Sequence, residues 1–414
     1  MSDPFFQSTF ANGLVLAAER IPGMHSAAMT LLVPAGSSGD PETIAGSATV
    51  LADLILRGAG SRDNRSLTEH LDSLGLQRSS SAGVYHLRLS AAAPAENVMA
   101  GLEAFADVVR RPRLPADGFE AARELTRQSL AGIEDEPRQK LSVALREVYF
   151  PWPLGRNPLG TFQTLDAMTL QAVREDHRRR FVPRGAIFAF AGKLDFDRLH
   201  DRIGALFGDW PDSSPPELKP VPSQRKWLFI PQKSEQTHIG LAWPTVDETH
   251  EDSYVARLAC DILGGGMSSR LFSEVRERRA LCYAVSVGYA SLKGLGCFMG
   301  YAGSSNDRAQ ATLDCILEET RRLANGVTAD ELQRAKVGLK ANTIMSGEST
   351  SARASAVAHD VFLRGRIRSI DEIKQSIDAV TLDRINAFVA SASSIRPTVV
   401  VLGPRELRYP DFPG

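Results

Sequence analysis

Cysteine is scarce in this chain of 414 residues. Cys260, Cys282, Cys297 and Cys315 all lie in the second half, with no Cys-x-x-Cys pair. That excludes a disulfide framework and a thiolate zinc ribbon, and free thiols in a reducing compartment are expected. Long apolar runs are missing as well: none approaches the roughly 18 residues of a membrane span. The opening Met1–Ser8 has neither a basic stretch nor a long apolar one, so no signal peptide is expected and a cytoplasmic protein follows. An excess of charge is lacking too, with 48 basic against 49 acidic residues. No global field favours nucleic acid or an anionic membrane, and neither is expected as a partner. The eight histidines, His25, His70, His86, His177, His200, His238, His250 and His359, include no pair three or four residues apart, so no helical two-histidine metal site is offered. Gly-x-Ser-x-Gly is absent, and Asp176-His177 has no nucleophile elbow to serve.

What is present is written twice. A chain this long exceeds one ordinary core, so two domains or a duplication are expected. Residues 211–224 hold five prolines, at 211, 215, 216, 220 and 222, and read as a semi-rigid linker between a domain at 1–210 and another at 225–414. His25–Val33 reads as a strand followed by a helix over 41–57, and His238–Trp243 is its counterpart, followed by a helix over Ser253–Leu263. Tyr85–Ala91 precedes helices over Ala95–Arg110 and Asp117–Ile133, as Cys297–Ala302 precedes helices over Asp307–Ala324 and Ala329–Ser346. Asp166-Ala167-Met168-Thr169-Leu170 recurs as Asp378-Ala379-Val380-Thr381-Leu382, where Thr169 and Thr381 are expected N-caps. Each half closes on an apolar strand, Ala186–Gly192 and Thr398–Gly403. The pattern predicts an α+β fold of two similar α/β sandwich domains, each a sheet with helices on one face.

Within the first half, residues 45–58 read as a buried helix. Ile44, Ala48, Leu51 and Ile55 share one stripe, and Gly58 is placed to stop it. Thr49, Ala52 and Asp53 stand at the spacing at which His-x-x-Glu-His would supply two zinc ligands and a general base. Gly46, Ala48, Leu51, Arg57 and Gly58 fit the frame of Gly-x-Ala-His-Phe-Leu-Glu-His-Met-Leu-Phe-Lys-Gly. The segment thereby resembles the pitrilysin/insulinase family of zinc peptidases, with all three functional positions replaced. A threonine hydroxyl is a poor zinc ligand, and alanine cannot take a proton from water. By the same resemblance a third ligand should fall near Arg127-Gln128-Ser129-Leu130, where no acid stands. The resemblance implies no zinc in this chain, and two similar domains in a clam-shell arrangement.

In the second half, Gly266-Met267-Ser268-Ser269-Arg270-Leu271-Phe272-Ser273-Glu274-Val275-Arg276-Glu277 and Leu281-Cys282-Tyr283-Ala284-Val285 resemble the family's Gly-x-x-Ser-Arg-Leu-Phe-x-x-Val-Arg-Glu and Leu-x-Tyr-x-Val. The resemblance assigns Arg276 and Tyr283 as the donor pair that assists hydrolysis. The residues alone leave open that Arg276 belongs to a solvated basic face with Arg278 and Arg279, and that Tyr283 packs in the core. Gly264-Gly265-Gly266 resembles the glycine-rich loop of the non-catalytic subunit of mitochondrial processing peptidase, a substrate-handling element, although a plain helix stop fits equally. A triglycine lets the backbone turn with positive φ and lets a ligand chain approach closely. A sheet edge for peptide binding is implied near Leu76–Ser81, with Ser79 and Ser80 at its centre, where the family usually shows Asn-Ala-x-Thr. Arg178-Arg179-Arg180 reads as a surface helix end.

Together these resemblances imply a zinc-free subunit with no activity of its own. It would pair as a heterodimer with a homologous zinc-bearing peptidase subunit and contribute Arg276 and Tyr283 to hydrolysis of unfolded peptides. The alternatives are a structural core-type subunit with no part in catalysis and a self-sufficient peptidase with a displaced metal site.

Overall fold

The computed structural model describes residues 4–223, 226–392 and 395–409. Gln224 and Arg225, at the expected junction of linker and second domain, lie outside them.

The first half builds a six-stranded sheet from β1 (Phe5–Thr9), β2 (Val15–Arg20), β3 (Ser26–Val33), β6 (Gln77–Ala82), β7 (Leu87–Pro94) and β8 (Ile187–Gly192). A two-residue ladder, β4 (Gly58–Ala59) with β5 (Arg62–Asp63), stands apart from it. Strand order is β1-β2-β8-β3-β7-β6. The wholly apolar run Ile187–Ala191 sits mid-sheet with every residue buried, as a strand covered on both faces must. Ser79 and Ser80 lie on β6, opposite Ser90 and Leu89 of β7, and β6 is the outermost strand. Its other edge carries backbone donors and acceptors that no strand pairs among the described residues.

The second half repeats this plan with β9 (Trp227–Pro231), β10 (Gln236–Thr245), β11 (Ala284–Leu292), β12 (Leu295–Ser305) and β13 (Thr398–Gly403), in the order β11-β12-β10-β13-β9. Apart from β1, which has no counterpart among the described residues, the two sheets correspond strand by strand. β2 runs parallel to β8 as β9 does to β13. Antiparallel β8-β3-β7-β6 is matched by β13-β10-β12-β11. Thr169 and Thr381 each accept a hydrogen bond from the backbone N–H three residues on, so the repeated caps are real. All four cysteines are free and buried.

Backbone contacts divide the chain into two units that do not follow its midpoint. One contains 1–132, 152–221 and 346–368; the other contains 133–151, 222–345 and 369–414. Each unit therefore borrows a helix. Pro137–Tyr149, started by proline at its first turn, buries Leu141, Leu145 and Val148 against Ala242, Val400 and Leu402 of the second sheet. Thr350–Arg364 lays Val357, Ala358 and Val361 on Ala17, Ile187 and Ala189 of the first. These two helices hold the same place in their repeats, each following a long helix, Ala116–Asp135 or Ala329–Gly347. Gly240 lets the borrowed helix come close, since a Cβ there would stand 3.3 Å from both Leu141 and Leu145. Leu141→Ala is expected to lower the stability of the second unit by about 3 kcal/mol, through lost burial plus a cavity, as read by urea unfolding. An unchanged midpoint would mean that this helix contributes little to the sheet it covers.

Candidate functional site

The degenerate helix runs Ser47–Leu54, shorter than the pattern at both ends. At its start Gly46 takes φ 98°, and a Cβ there would stand 2.6 Å from the Leu159 carbonyl oxygen. Gly58 is no helix stop: it lies in β4, at φ 116°, opposite Asp63. Ile44, Ala48, Leu51 and Ile55 are all buried, as their spacing requires.

At the three catalytic positions the side chains are spent on structure. Thr49 Oγ1 donates to the Pro158 carbonyl at 2.6 Å. Ala52 is buried and inert. Asp53 accepts from Arg57 Nε at 2.9 Å and Nη2 at 2.8 Å, the ordinary pair of residues four apart. Where a third ligand would stand, Arg127 pairs with Asp166 at 2.5 Å, Gln128 donates to Glu124 at 3.3 Å, and Leu130 is buried. Among the described residues no group of three or more His, Cys, Asp or Glu could hold a metal ion. A buried alanine, a threonine hydroxyl given to a carbonyl and a carboxylate held by its own helix's arginine do not fit a zinc ion.

What does occupy the start of the helix is a buried ion network. Asp40 accepts from Gly46 N–H at 2.8 Å and Ala48 N–H at 3.1 Å, and so caps the helix from six residues upstream. Arg180, expected at the surface, is fully buried. It donates to Asp176 at 2.9 Å, to Asp40 at 3.0 Å and to the Gly36 carbonyl at 2.7 Å, while Ser47 Oγ lies 2.8 Å from Asp176. Desolvation raises the pKa of Asp40, against the opposing pull of Arg180. Beside this network burial drives His177 from 6.5 to about 4, only partly offset by its 3.3 Å contact with the Val109 carbonyl. Between those values the unfolded chain holds a proton that the folded one does not. Stability is therefore expected to fall by about 3 kcal/mol as pH drops from about 6.5 to about 4. His177→Gln should remove that part of the pH dependence in chemical denaturation; a slope identical to the parent would overturn it.

In the second unit, the helix Ser253–Gly264 ends at the triglycine. None of Gly264, Gly265 and Gly266 has positive φ, so the left-handed freedom of glycine is not used here. Gly264 instead permits close packing, because a Cβ would stand 2.7 Å from the Val287 nitrogen; at Gly266 nothing lies within 4 Å. Arg270 of the signature grips Glu331 with Nε at 2.7 Å and Nη2 at 2.9 Å, and Glu331 also caps its own helix at Thr328. Arg270 holds the Glu331 carboxyl down at about 2, helped by the Thr328 N–H. These contacts fix the segment that follows.

Phe272–Arg278 is a π-helix, a rare winding that is frequent at functional sites. It ends with Arg279 N–H on the Glu274 carbonyl at 3.1 Å, Leu281 N–H on the Val275 carbonyl at 2.8 Å, and Ala280 at φ 49°. This reversal returns the chain, so that Cys282 lies within electrostatic reach of Arg276; burial lifts its thiol to about 11 and the guanidinium partly opposes that lift. Tyr283, the next residue, is 64% exposed and does not pack in the core.

Three arginines that look alike in sequence are here told apart. Arg278 pairs with Glu274 at 2.6 Å and Arg279 with Glu318 at 3.2 Å. Arg276 is exposed and has no carboxylate partner among the described residues; its Cζ lies 4.7 Å from the centroid of the Phe272 ring. The arrangement presents one unneutralised guanidinium and one exposed phenol, both able to donate to an anionic oxygen. The triglycine, Ser79 and Ser80 are distributed over other elements: the glycines close a helix of the second unit, and the serines sit on the β6 edge of the first. Among the described residues no helix is long and apolar enough to cross a membrane.

Residues 15–160 match the family described as insulinase, peptidase family M16, and residues 167–339 match the peptidase M16 inactive domain. A protein of Mycobacterium bovis bearing the name zinc protease is 28% identical over 409 residues, covering 96% of this chain and 93% of its own. One of Streptomyces coelicolor, similarly named, is 26% identical over 96% of this chain and 89% of its own. Among solved structures, a peptidase M16 inactive domain from Pseudomonas fluorescens superposes with a TM-score of 0.89 at 20% identity, over 98% of this chain and 99% of that one. A protease from Helicobacter pylori gives 0.87 at 18% identity, over 97% and 99%.

Proposed function

The chain belongs to the insulinase (M16) family of peptidases as a member without a zinc site, and from that premise we propose that it is the non-catalytic subunit of a heterodimeric metalloendopeptidase. A homologous chain with an intact His-x-x-Glu-His supplies the zinc, its ligands and the general base. This chain supplies Arg276 and Tyr283, whose donors meet the oxygen of the scissile carbonyl as it becomes an oxyanion. One observation carries the reading: of the arginines at 276, 278 and 279, only Arg276 has no carboxylate partner among the described residues, so its charge stays available to a ligand. An extended, unfolded peptide is the substrate, and the open edge of β6 at Ser79 and Ser80 can take it as an added strand. Reconstitution tests it. This chain and its zinc-bearing homologue, each inactive or nearly so alone, should hydrolyse an unfolded peptide when mixed, with rate saturating at one-to-one stoichiometry. Full activity of the homologue alone would overturn the reading and leave a structural, core-type subunit in its place.

A further inference from the structure

A guanidinium on a flexible stem must be held still if it is to stabilise a transition state, since ordering it during the reaction costs entropy. A carboxylate partner would hold Arg276, but would also neutralise it and occupy its donors. The structure uses an aromatic face instead. Phe272 stands four residues earlier in the same π-helix, half-buried, with the Arg276 Cζ 4.7 Å from its ring centroid. The ring quadrupole attracts the cation, while the five N–H donors project from the edge of the guanidinium and take no bond from the ring. Glu274, the acid best placed on this turn, is taken by Arg278.

We propose that Phe272 is a positioning residue, which holds the Arg276 guanidinium in place without consuming its donors. This rests on the reading of Arg276 as a donor to the reacting carbonyl. The π-helix serves the same end. Its wide turn, closed by Leu281 N–H on Val275, sets the Phe272–Arg276 pair in fixed register with the strand that begins after Tyr283.

Kinetics of the reconstituted heterodimer decide it. Phe272→Ala should lower kcat about fivefold with KM unchanged, in keeping with an exposed cation–π contact. Phe272→Tyr, which keeps the ring, should retain the parent rate. Phe272→Leu keeps apolar bulk without the ring face; it should fold as the parent does by thermal unfolding and share the loss of Phe272→Ala. Combining Phe272→Ala with Arg276→Ala should be no worse than Arg276→Ala alone, because one acts through the other. Multiplying losses in the double variant, parent activity in Phe272→Ala beside an impaired Arg276→Ala, or full activity in Phe272→Leu would each overturn the proposal. A second measurement separates this from its premise. In the free chain, the ring-current-shifted Arg276 Nε–H resonance, identified by its loss in Arg276→Lys, should move in Phe272→Leu and stay in Phe272→Tyr. If it moves but Arg276→Ala has the parent rate, the premise has failed and the positioning role with it; if it does not move, the contact itself is refuted.

Discussion

Arg276→Ala is expected to reduce kcat of the reconstituted heterodimer by about two to three orders of magnitude, with KM and subunit affinity close to the parent. The magnitude is that of deleting one preorganised donor to an oxyanion, about 3 to 4 kcal/mol of transition-state stabilisation. The absence of a structural penalty follows from its surroundings: the side chain is exposed and makes no ion pair among the described residues, so truncating it strands no partner. Arg278→Ala and Arg279→Ala are the matched controls. Each removes the same group from the same turn, but theirs neutralise Glu274 and Glu318, and both variants should keep nearly full kcat. Arg276→Lys should recover part of the loss, because an ammonium restores the charge and not the forked donor set. Steady-state kinetics on one unfolded peptide decide among these. Equal kcat for the three alanine variants would remove Arg276 from the chemistry.

The largest expected effect on stability lies elsewhere, at Arg180. Arg180→Met should destabilise the first unit by about 3 to 5 kcal/mol, because Asp40 and Asp176 would remain buried without their shared cation. The loss is specific to the stranded charges. Adding Asp176→Asn to Arg180→Met should return a measurable part of it, a non-additivity that independent sites do not show. Urea unfolding followed through Trp210, which is buried in the same unit, reports both. A loss below about 1 kcal/mol would mean that water reaches the network and the burial is incomplete.

Sequence alone carried what is local. The two apolar closing strands and the caps at Thr169 and Thr381 are each decided by neighbours within a turn or a strand, and the structure has them. Arg180 was misjudged because its partners other than Asp176, namely Gly36, Asp40 and Ser47, lie 133 to 144 residues earlier in the chain, where no periodicity connects them. The triglycine read equally as a substrate-handling loop or a plain helix stop; its first residue is required by the approach of Val287, a contact made only in the folded sheet. Arg276 could not be separated from Arg278 and Arg279 by spacing, since the distinction rests on which acids reach back to them. A seven-residue π-helix has no pattern of its own that periodicity would catch.

The two borrowed helices bear on how the protein is made. A nascent chain leaves the ribosome with the first sheet complete once β8 has emerged at Gly192, yet the residues that shield Ala17, Ile187 and Ala189 come only with Val357, Ala358 and Val361. At ordinary synthesis speed that interval lasts on the order of ten seconds or more, during which a naked apolar surface is a target for chaperones and for aggregation. Splitting the gene at the proline-rich stretch would not yield two autonomous modules, because each fragment would carry away the cover the other needs.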